Sequence, residues 1–247
     1  MRILVGLLIG GFLAAQPAFE VASLRPTTPN GLACSVFTYP GGRVVVHNCT
    51  VPYIIAQSFD EEKVVIPDAA AWTNENRYDI EARPPANSES AKSNPFNIKL
   101  PPNEEQRLML QALFADRFQM KFHRETKEED VFLLKTGKAL KLQGPKDTKA
   151  YPWAGQYSDP DVFAGMNITM PQLVKRLTRM LGRPVLDQTG LSGAFDFKSP
   201  YDATGEHPDR MTFLIGSLNA LGLKLESSKA PIERIMVDHL EKPTANE

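Results

Sequence analysis

The chain has 247 residues, with 28 basic and 29 acidic side chains and a net charge of −1 at pH 7. Such a balance produces no overall field that would attract nucleic acid or an anionic membrane surface, so both classes of partner are disfavoured. A hydrophobic content of 42% is ordinary for a globular protein, and the 20 prolines gather in segments that are typical of loops.

The first 18 residues are predicted to be an export signal. Arg2 precedes an unbroken apolar run over residues 3–15 that ends in small residues, with cleavage after Ala15 or Ala18. The run is shorter than the roughly 18 to 20 residues that span a bilayer, which favours a removed signal over an anchor. No second apolar stretch of that length follows, so we expect no membrane insertion after cleavage. The mature protein is therefore expected in the periplasm or outside the cell.

A hairpin with a disulfide is predicted next. Cys34 and Cys49 are the only cysteines, and a Tyr-Pro-Gly-Gly turn lies between them. A turn centred on Gly41 and Gly42 would place the two cysteines opposite each other. A type II turn with a bulge at Gly42 would shift that register by one residue and weaken the pairing. An oxidising compartment favours the disulfide as a structural cross-link.

The helices that follow belong to an internal repeat. Residues 48–55 match residues 167–174, and both segments begin Asn-x-Thr-x-Pro. In each copy a Thr can cap a helix that has Pro in its first turn. Apolar residues then recur at helical spacing, which predicts helices over 51–58 and 170–181.

The remaining elements keep the same order in both halves. Strands around Asp79 and Asp196 precede second helices at 104–116 and 209–221, and each helix runs directly into a strand. A polar turn and a last strand follow, at 131–134 and 235–237. The fold class is therefore α+β, with two tandem β-α-β-β-α-β-β units related by internal duplication. The alternative, that any two α+β halves look alike, stays open.

The domain boundaries follow from this repeat. A first α+β unit is predicted over 19–137 and a second over 162–247, with a linker or covering loop at 138–161. The long loop 83–102, rich in Pro, Asn and Ser, distinguishes the first unit from the second, because loops absorb insertions.

Several sequence segments resemble those of a known family. They include Phe-Glu-Val-Ala-Ser-Leu-Arg-Pro at 19–26, Leu-Phe-Ala-Asp-Arg-Phe at 113–118 and Arg-Pro-Val-Leu-Asp-Gln-Thr-Gly-Leu at 183–191. Together they resemble the soil-associated family of exported acidobacterial proteins, a domain of unknown function. The second half is also similar, in element order, to the short N-terminal domain of secretins and TonB-dependent receptors. The resemblance implies an extracytoplasmic binding or sensing role and brings no activity, cofactor or catalytic residue.

No motif in the sequence indicates catalysis. The four histidines are scattered and lack the spacing of a zinc site. The Asp187-Gln188-Thr189-Gly190 segment has one residue too many for the Asp-Thr-Gly of aspartic proteases, and a β-turn explains it. No nucleophile elbow and no glycine-rich phosphate loop is present. We therefore predict no catalytic residue, no metal and no cofactor.

Exposed aromatic residues are the one positive indication of a ligand. Trp72 precedes a strand, and Tyr151, Trp153 and Tyr157 crowd a proline-containing segment. They would either contact a ligand or seal the contact between the two units. The preferred function is a non-enzymatic envelope module that binds a protein, peptide or glycan. The alternative is an envelope hydrolase whose site is assembled from distant Ser, His and Asp residues.

Overall fold

The structure is a computed structural model, and it describes residues 17–27, 33–62, 64–67, 71–92, 99–156, 162–200 and 209–243. The predicted export signal lies outside these residues, apart from its last two positions. Tyr157 also lies outside them.

The described residues form strands and helices in the proportions of an α+β protein, as the sequence predicts. The ten strands are β1 (Val21–Pro26), β2 (Ser35–Thr38), β3 (Val44–Thr50), β4 (Arg77–Arg83), β5 (Lys121–Thr136), β6 (Trp153–Gln156), β7 (Val162–Thr169), β8 (Val185–Asp187), β9 (Ala194–Pro200) and β10 (Leu223–His239). The five helices are α1 (Val51–Ser58), α2 (Trp72–Glu75), α3 (Glu104–Arg117), α4 (Met170–Leu181) and α5 (Arg210–Ala220).

The chain divides into two compact units. The first unit contains the described residues up to Glu125 together with those from Arg234 onward, and the second contains Thr126–Glu233. The sequence placed the unit boundaries at 137 and 162 instead. Contacts therefore assign the end of β5 to the second unit and the end of the chain to the first.

The first unit is built on an antiparallel sheet with strand order β1-β4-β3-β2. Its strands alternate buried apolar and more exposed polar residues, which is the period-two pattern of a sheet with one covered face. The covered face packs against α1 and α3 in a core that includes Leu24, Val46, Ile54, Ile80 and Phe114. The opposite face remains polar.

Helix caps explain where α3 and α4 begin. Asn103 caps α3 and Thr169 caps α4. In each case the cap side chain accepts the backbone N–H of the residue three positions later, whose own side chain accepts the backbone N–H of the cap residue. The spacing of Thr169 and Gln172 predicts this capping box. Thr50 occupies the corresponding position before α1, but its side chain makes no capping hydrogen bond.

The first hairpin has the shifted register. β2 pairs with β3 so that Ser35 lies opposite His47, one residue away from the register that a turn centred on Gly41 and Gly42 predicts. Both glycines are left-handed, with φ of 77° and 71°, which suits residues without a Cβ. A side chain at Gly42 would also collide with the Ser90 carbonyl group.

The disulfide forms in spite of this shift. Cys34 and Cys49 are bonded at 2.05 Å with their Cα atoms 4.7 Å apart, as predicted. A bulge between Val46 and Cys49 adds one residue to β3, and that residue offsets the shift made by the turn. The predicted pairing is therefore correct, although the predicted register was not.

The second unit contains an antiparallel sheet with strand order β6-β7-β9. Its core includes Ala154, Phe163, Leu173, Phe197 and Leu214. The three residues of β8 pair in parallel with residues 132–134 of β5. α4 covers one face of β6 and β7 because Met170, Leu173 and Leu177 are buried at helical spacing.

The same bulge occurs in both units. Asn48 has a φ of 52° and Asn167 a φ of 49°, and each lies where the strand register shifts. The Asn48 backbone N–H donates to Asp79 Oδ1 at 2.9 Å, and the Asn167 N–H donates to Asp196 Oδ1 at 2.8 Å. These are the residues that the predicted repeat places in equivalent positions.

The two units also correspond in the segment that follows the first helix of each, α1 and α4. Val65 forms a parallel bridge with Met236 in the first unit, and Val185 pairs in parallel with Phe132 in the second. In both units the helix is thus followed by a short parallel pairing. Descent of the two units from one ancestor stays a prediction.

The predicted polar turns near the ends of the two repeats are absent, and this prediction was wrong. β5 is continuous over Lys121–Thr136 and β10 over Leu223–His239. The charged residues of β5 between Glu125 and Asp130 are mostly exposed. A strand without a covered face shows no apolar alternation, and its sequence therefore looks like a turn.

Candidate functional site

Three of the four predicted aromatic contacts are among the described residues, and they are divided between the two units. Trp72 belongs to the first unit, where it is partly buried against the core and stacks on Phe118 with ring centroids 6.5 Å apart. Tyr151 and Trp153 belong to the second unit. Tyr157 lies outside the described residues. Trp72 therefore acts as a rim residue of the first core.

Trp153 is the first residue of β6, an edge strand of its sheet among the described strands, and Tyr151 lies two residues before it. Tyr151 is 51% exposed, and Met166 on the neighbouring strand is 45% exposed. Trp153 is directly opposite Met166 in the register, so the two side chains are on the same face of the sheet. We call Tyr151, Trp153 and Met166 the β6 aromatic strip.

A glycine makes room for the indole ring of this strip. A Cβ added at Gly155 would lie 3.4 Å from Cζ2 of Trp153 and 3.4 Å from Nη2 of Arg176. The indole and the guanidinium group thus border the same space. Trp153 and Gly155 are two residues apart in one strand and share a face, so Arg176 reaches from α4 to the face that carries the strip.

Arg176 has an unusual electrostatic position. Its Nε atom is buried and makes no hydrogen bond, and the described part of the chain provides no ion-pair partner for the guanidinium. Buried charged groups are normally paired, because loss of hydration is costly. No sequence motif distinguishes Arg176, because a basic residue in an amphipathic helix usually faces solvent.

A row of polar residues crosses the uncovered face of the first sheet. Ser35, His47, Asp79 and Arg25 are neighbours on four adjacent strands. His47 Nδ1 lies 3.0 Å from Asp79 Oδ1. The other ring nitrogen, Nε2, is buried without a hydrogen-bond partner, so Ser35 is not hydrogen-bonded to the imidazole. We call these residues the first-sheet polar row.

The row could be found only in part from the sequence. Alternation places His47 and Asp79 on the uncovered face, since Val46 and Ile80 are buried. Their contact depends on the strand order and on the bulge in β3, which the sequence does not specify.

Two other histidines form simple pairs with carboxylates. His123 Nδ1 lies 2.8 Å from Asp238 Oδ1, and His239 Nε2 lies 2.8 Å from Glu241 Oε1. The first pair is a cross-strand contact between β5 and β10. Among the described residues, no group of three or more His, Cys, Asp or Glu side chains could hold a metal ion.

The Asp-Gln-Thr-Gly segment is a turn, as predicted. Asp187 Oδ1 accepts hydrogen bonds from the backbone N–H of Thr189 at 2.8 Å and from its hydroxyl at 2.7 Å. Such Asx turns are local structure. The carboxylate is therefore occupied by the turn.

Asp196 is the carboxylate with the clearest electrostatic role. It accepts the backbone N–H of Lys146 and that of Asn167, each at 2.8 Å. These two hydrogen bonds, that from Lys146 being the stronger influence, hold the pKa of Asp196 below its ordinary value. The Asp196 carboxylate thus holds together the bulge of β7 and the segment before β6.

The described helices include none that is both long enough and apolar enough to cross a lipid bilayer. The structure is that of a disulfide-bonded α+β protein of two units, with the polar row on one sheet and the β6 aromatic strip at another.

The chain belongs to the family described as protein of unknown function (DUF3738), whose model matches residues 53–240. No curated protein and no solved structure matches the chain.

Proposed function

We propose that this protein is an exported, non-enzymatic binding or sensing module of the cell envelope, and that the β6 aromatic strip contacts its ligand. The carrying observation is the exposure of Tyr151, just before the edge strand β6, and of Met166, which lies opposite Trp153 on β7. Exposed aromatic and thioether side chains are characteristic of protein-contact surfaces. The expected ligand is an envelope protein, a peptide or a glycan.

Export is supported by two independent features. The apolar run at residues 3–15 has the composition of a signal h-region. The Cys34–Cys49 disulfide suits an oxidising compartment, either the periplasm or the exterior. The resemblance to soil-associated acidobacterial proteins and to secretin-type domains leads to the same location.

We also propose that the two units arose by duplication, since their bulges use equivalent Asn and Asp residues.

A binding experiment tests the role of the strip. Immobilised wild-type protein and the variants Tyr151→Ser, Trp153→Ser and Tyr53→Ser would be exposed to the native envelope fraction. Tyr53 is the matched control, because it is an exposed tyrosine of the first unit. Components retained by wild type and Tyr53→Ser, but lost with the strip variants, would support the proposal. Retention by all four proteins would contradict it.

The first-sheet polar row supports a second candidate, an envelope hydrolase. His47 and Asp79 have the contact of a base and its orienting carboxylate, and Ser35 is on the next strand. In this alternative, a ligand would bring Ser35 into hydrogen-bonding contact with the imidazole.

A serine-reactive fluorophosphonate probe separates the two candidates. The hydrolase requires labelling of the wild-type protein that is lost in Ser35→Ala and His47→Gln and retained in Ser23→Ala, which removes a serine from the same sheet. An unlabelled wild-type protein would leave the binding module as the function.

A further inference from the structure

The chain before β6 carries a local excess of positive charge. Residues 138–149, which we call the basic segment, contain four lysines and a single acidic residue, Asp147. All four lysines are exposed: Lys138, Lys141, Lys146 and Lys149. The near-neutral charge of the whole chain does not cancel this excess, because salt screens exposed charges that lie more than about 10 Å apart. The basic segment can therefore attract an anionic surface by itself.

The backbone of the basic segment is held in place by the second unit. The Gly137 N–H donates to the Gly222 carbonyl at 2.7 Å, and the Lys141 N–H donates to the Leu221 carbonyl at 2.9 Å. A side chain at Gly222 would collide with the Ala139 carbonyl group, so the two stretches of backbone pack closely. The lysines thus extend from an ordered backbone, and little chain entropy is lost when a partner binds them.

Exposed apolar side chains accompany the lysines. Leu140, between Lys138 and Lys141, is 40% exposed, and Tyr151, just after the segment, is 51% exposed. Lysines combined with exposed apolar groups are typical of segments that lie on a membrane surface. There the ammonium groups contact lipid phosphates, while the apolar groups enter the boundary of the acyl region. A soluble anionic polymer offers no such apolar phase.

The type of cation distinguishes a lipid surface from an acidic protein. Interfaces between proteins are enriched in arginine and depleted in lysine, and a guanidinium group pairs with a carboxylate through two parallel hydrogen bonds. Residues 138–149 contain no arginine. Compact ammonium groups suit a field produced by many headgroups, to which each lysine contributes separately. The composition therefore favours a lipid surface.

We propose that the basic segment binds the surface of a membrane that contains anionic phospholipids. The contact is peripheral, because the lysines and Leu140 lie on the surface of the second unit and do not span the bilayer. The inference goes beyond the proposed function, since it concerns where the exported protein is held and not which ligand the β6 aromatic strip contacts.

Vesicle sedimentation tests the inference. The protein purified after export would be mixed with vesicles of phosphatidylcholine alone, or of phosphatidylcholine and phosphatidylglycerol in about equal amounts. A triple variant, Lys138→Gln with Lys141→Gln and Lys149→Gln, removes three charges from the basic segment. Lys146 is retained, because it lies beside the Asp196 carboxylate. Every variant keeps the N-terminus of the wild type, so the predicted signal cannot cause a difference between them.

The matched control removes three exposed lysines from the first unit and has the substitutions Lys92→Gln, Lys99→Gln and Lys242→Gln. We expect the wild type to bind the anionic vesicles much more strongly than the neutral ones. The basic-segment variant should bind the anionic vesicles about tenfold or more weakly than the wild type, because each lysine near such a surface contributes separately. The control should bind them about as strongly as the wild type.

Four results would overturn the inference. These are no binding of the wild type to either kind of vesicle, equal binding to both kinds, equal binding by the wild type and the basic-segment variant, and an equal loss in the two triple variants. If vesicles are not bound while Tyr151→Ser still loses an envelope component, the proposed function stands and this inference alone fails. Thermal melting of both triple variants establishes that they remain folded.

Discussion

At the scale of single residues, most of the polar contacts described above hold backbone geometry in place. Asp79 and Asp196 each accept the N–H of a left-handed asparagine at a bulge. An N–H in a bulge has no partner in the strand ladder, so a side chain has to satisfy it. Arg176 differs from these residues because its buried Nε atom has no hydrogen-bond partner among the described residues.

Replacement of Asp196 by Asn should destabilise the second unit by about 1 kcal/mol at neutral pH, since the neutral amide accepts the two N–H groups less strongly. Because the folded-state pKa of Asp196 is lowered, its stabilising effect is present above the unfolded-state pKa. The effect is lost as the pH falls through the folded-state pKa. The stability difference between wild type and variant should therefore shrink below about pH 4.

Urea denaturation at neutral and at acid pH measures this difference. Asp147→Asn is a suitable control, because among the described residues the Asp147 carboxylate accepts only the N–H of Lys149, two residues away, at an exposed site. A difference between Asp196→Asn and wild type that stays constant with pH would contradict the assigned role of the carboxylate.

At the scale of elements, the sequence predicts those whose signals are local. α1 and α4 extend over the predicted ranges, because a Thr-x-Pro start and apolar residues at helical spacing act within one segment. The hairpin register could not be predicted, because the turn and the bulge in β3 each shift it and their effects cancel at Cys49. The long strands were missed because their exposed residues show no alternation.

Continuity of β5 can be tested by hydrogen exchange. If residues 126–130 form a strand paired with β10, alternate amides in that segment should exchange slowly, as in a two-stranded ladder. The exposed segment 138–140 provides the comparison within the same protein. Uniformly fast exchange across residues 126–130 would contradict a continuous β5 and would support the turn that the sequence predicted.

The disulfide should contribute about 3 kcal/mol to the free energy of unfolding, the value typical of a loop of this size, given its sequence separation of 15 residues. The variant with Cys34→Ser and Cys49→Ala would show this loss in urea denaturation. Reduced wild-type protein is the internal comparison and should lose a similar amount. A stability unchanged on reduction would show that the bulge holds the hairpin without the cross-link.

At the scale of the whole molecule, contacts assign the end of the chain to the unit at its beginning. Val237 is 2% exposed and belongs to the first core, with Leu240 packed against it. The backbone N–H of Glu241 donates to the Phe118 carbonyl at 2.7 Å. The sequence pattern could not show this assignment, because a strand of either unit has the same local composition.

Val237→Ala should therefore destabilise the first unit by about 2 kcal/mol, the cost of removing two buried methyl-sized groups and leaving a cavity. Trp72 reports on the first unit in a Trp153→Phe background, and Trp153 reports on the second in a Trp72→Phe background. The Trp72 signal should lose stability. Loss confined to the Trp153 signal would contradict the assignment of the last strand.

The candidate site was predictable only for its aromatic residues. Composition drew attention to Tyr151 and Trp153, and the structure places Trp153 on an edge strand and Tyr151 just before it. Gly155 and Arg176 carry no sequence signal of their own, because their relation to the indole depends on how α4 packs under β6. Trp72 shows the reverse case, since a tryptophan predicted as a contact is occupied by Phe118.

Chemical-shift mapping tests the binding account most directly. An isotope-labelled wild-type protein would be titrated with the envelope component that the immobilised protein retains, and the shifted amides would be assigned. We expect shifts concentrated in residues 151–156 and in the strand segment around Met166. Shifts concentrated instead around the first-sheet polar row would contradict a binding role of the strip.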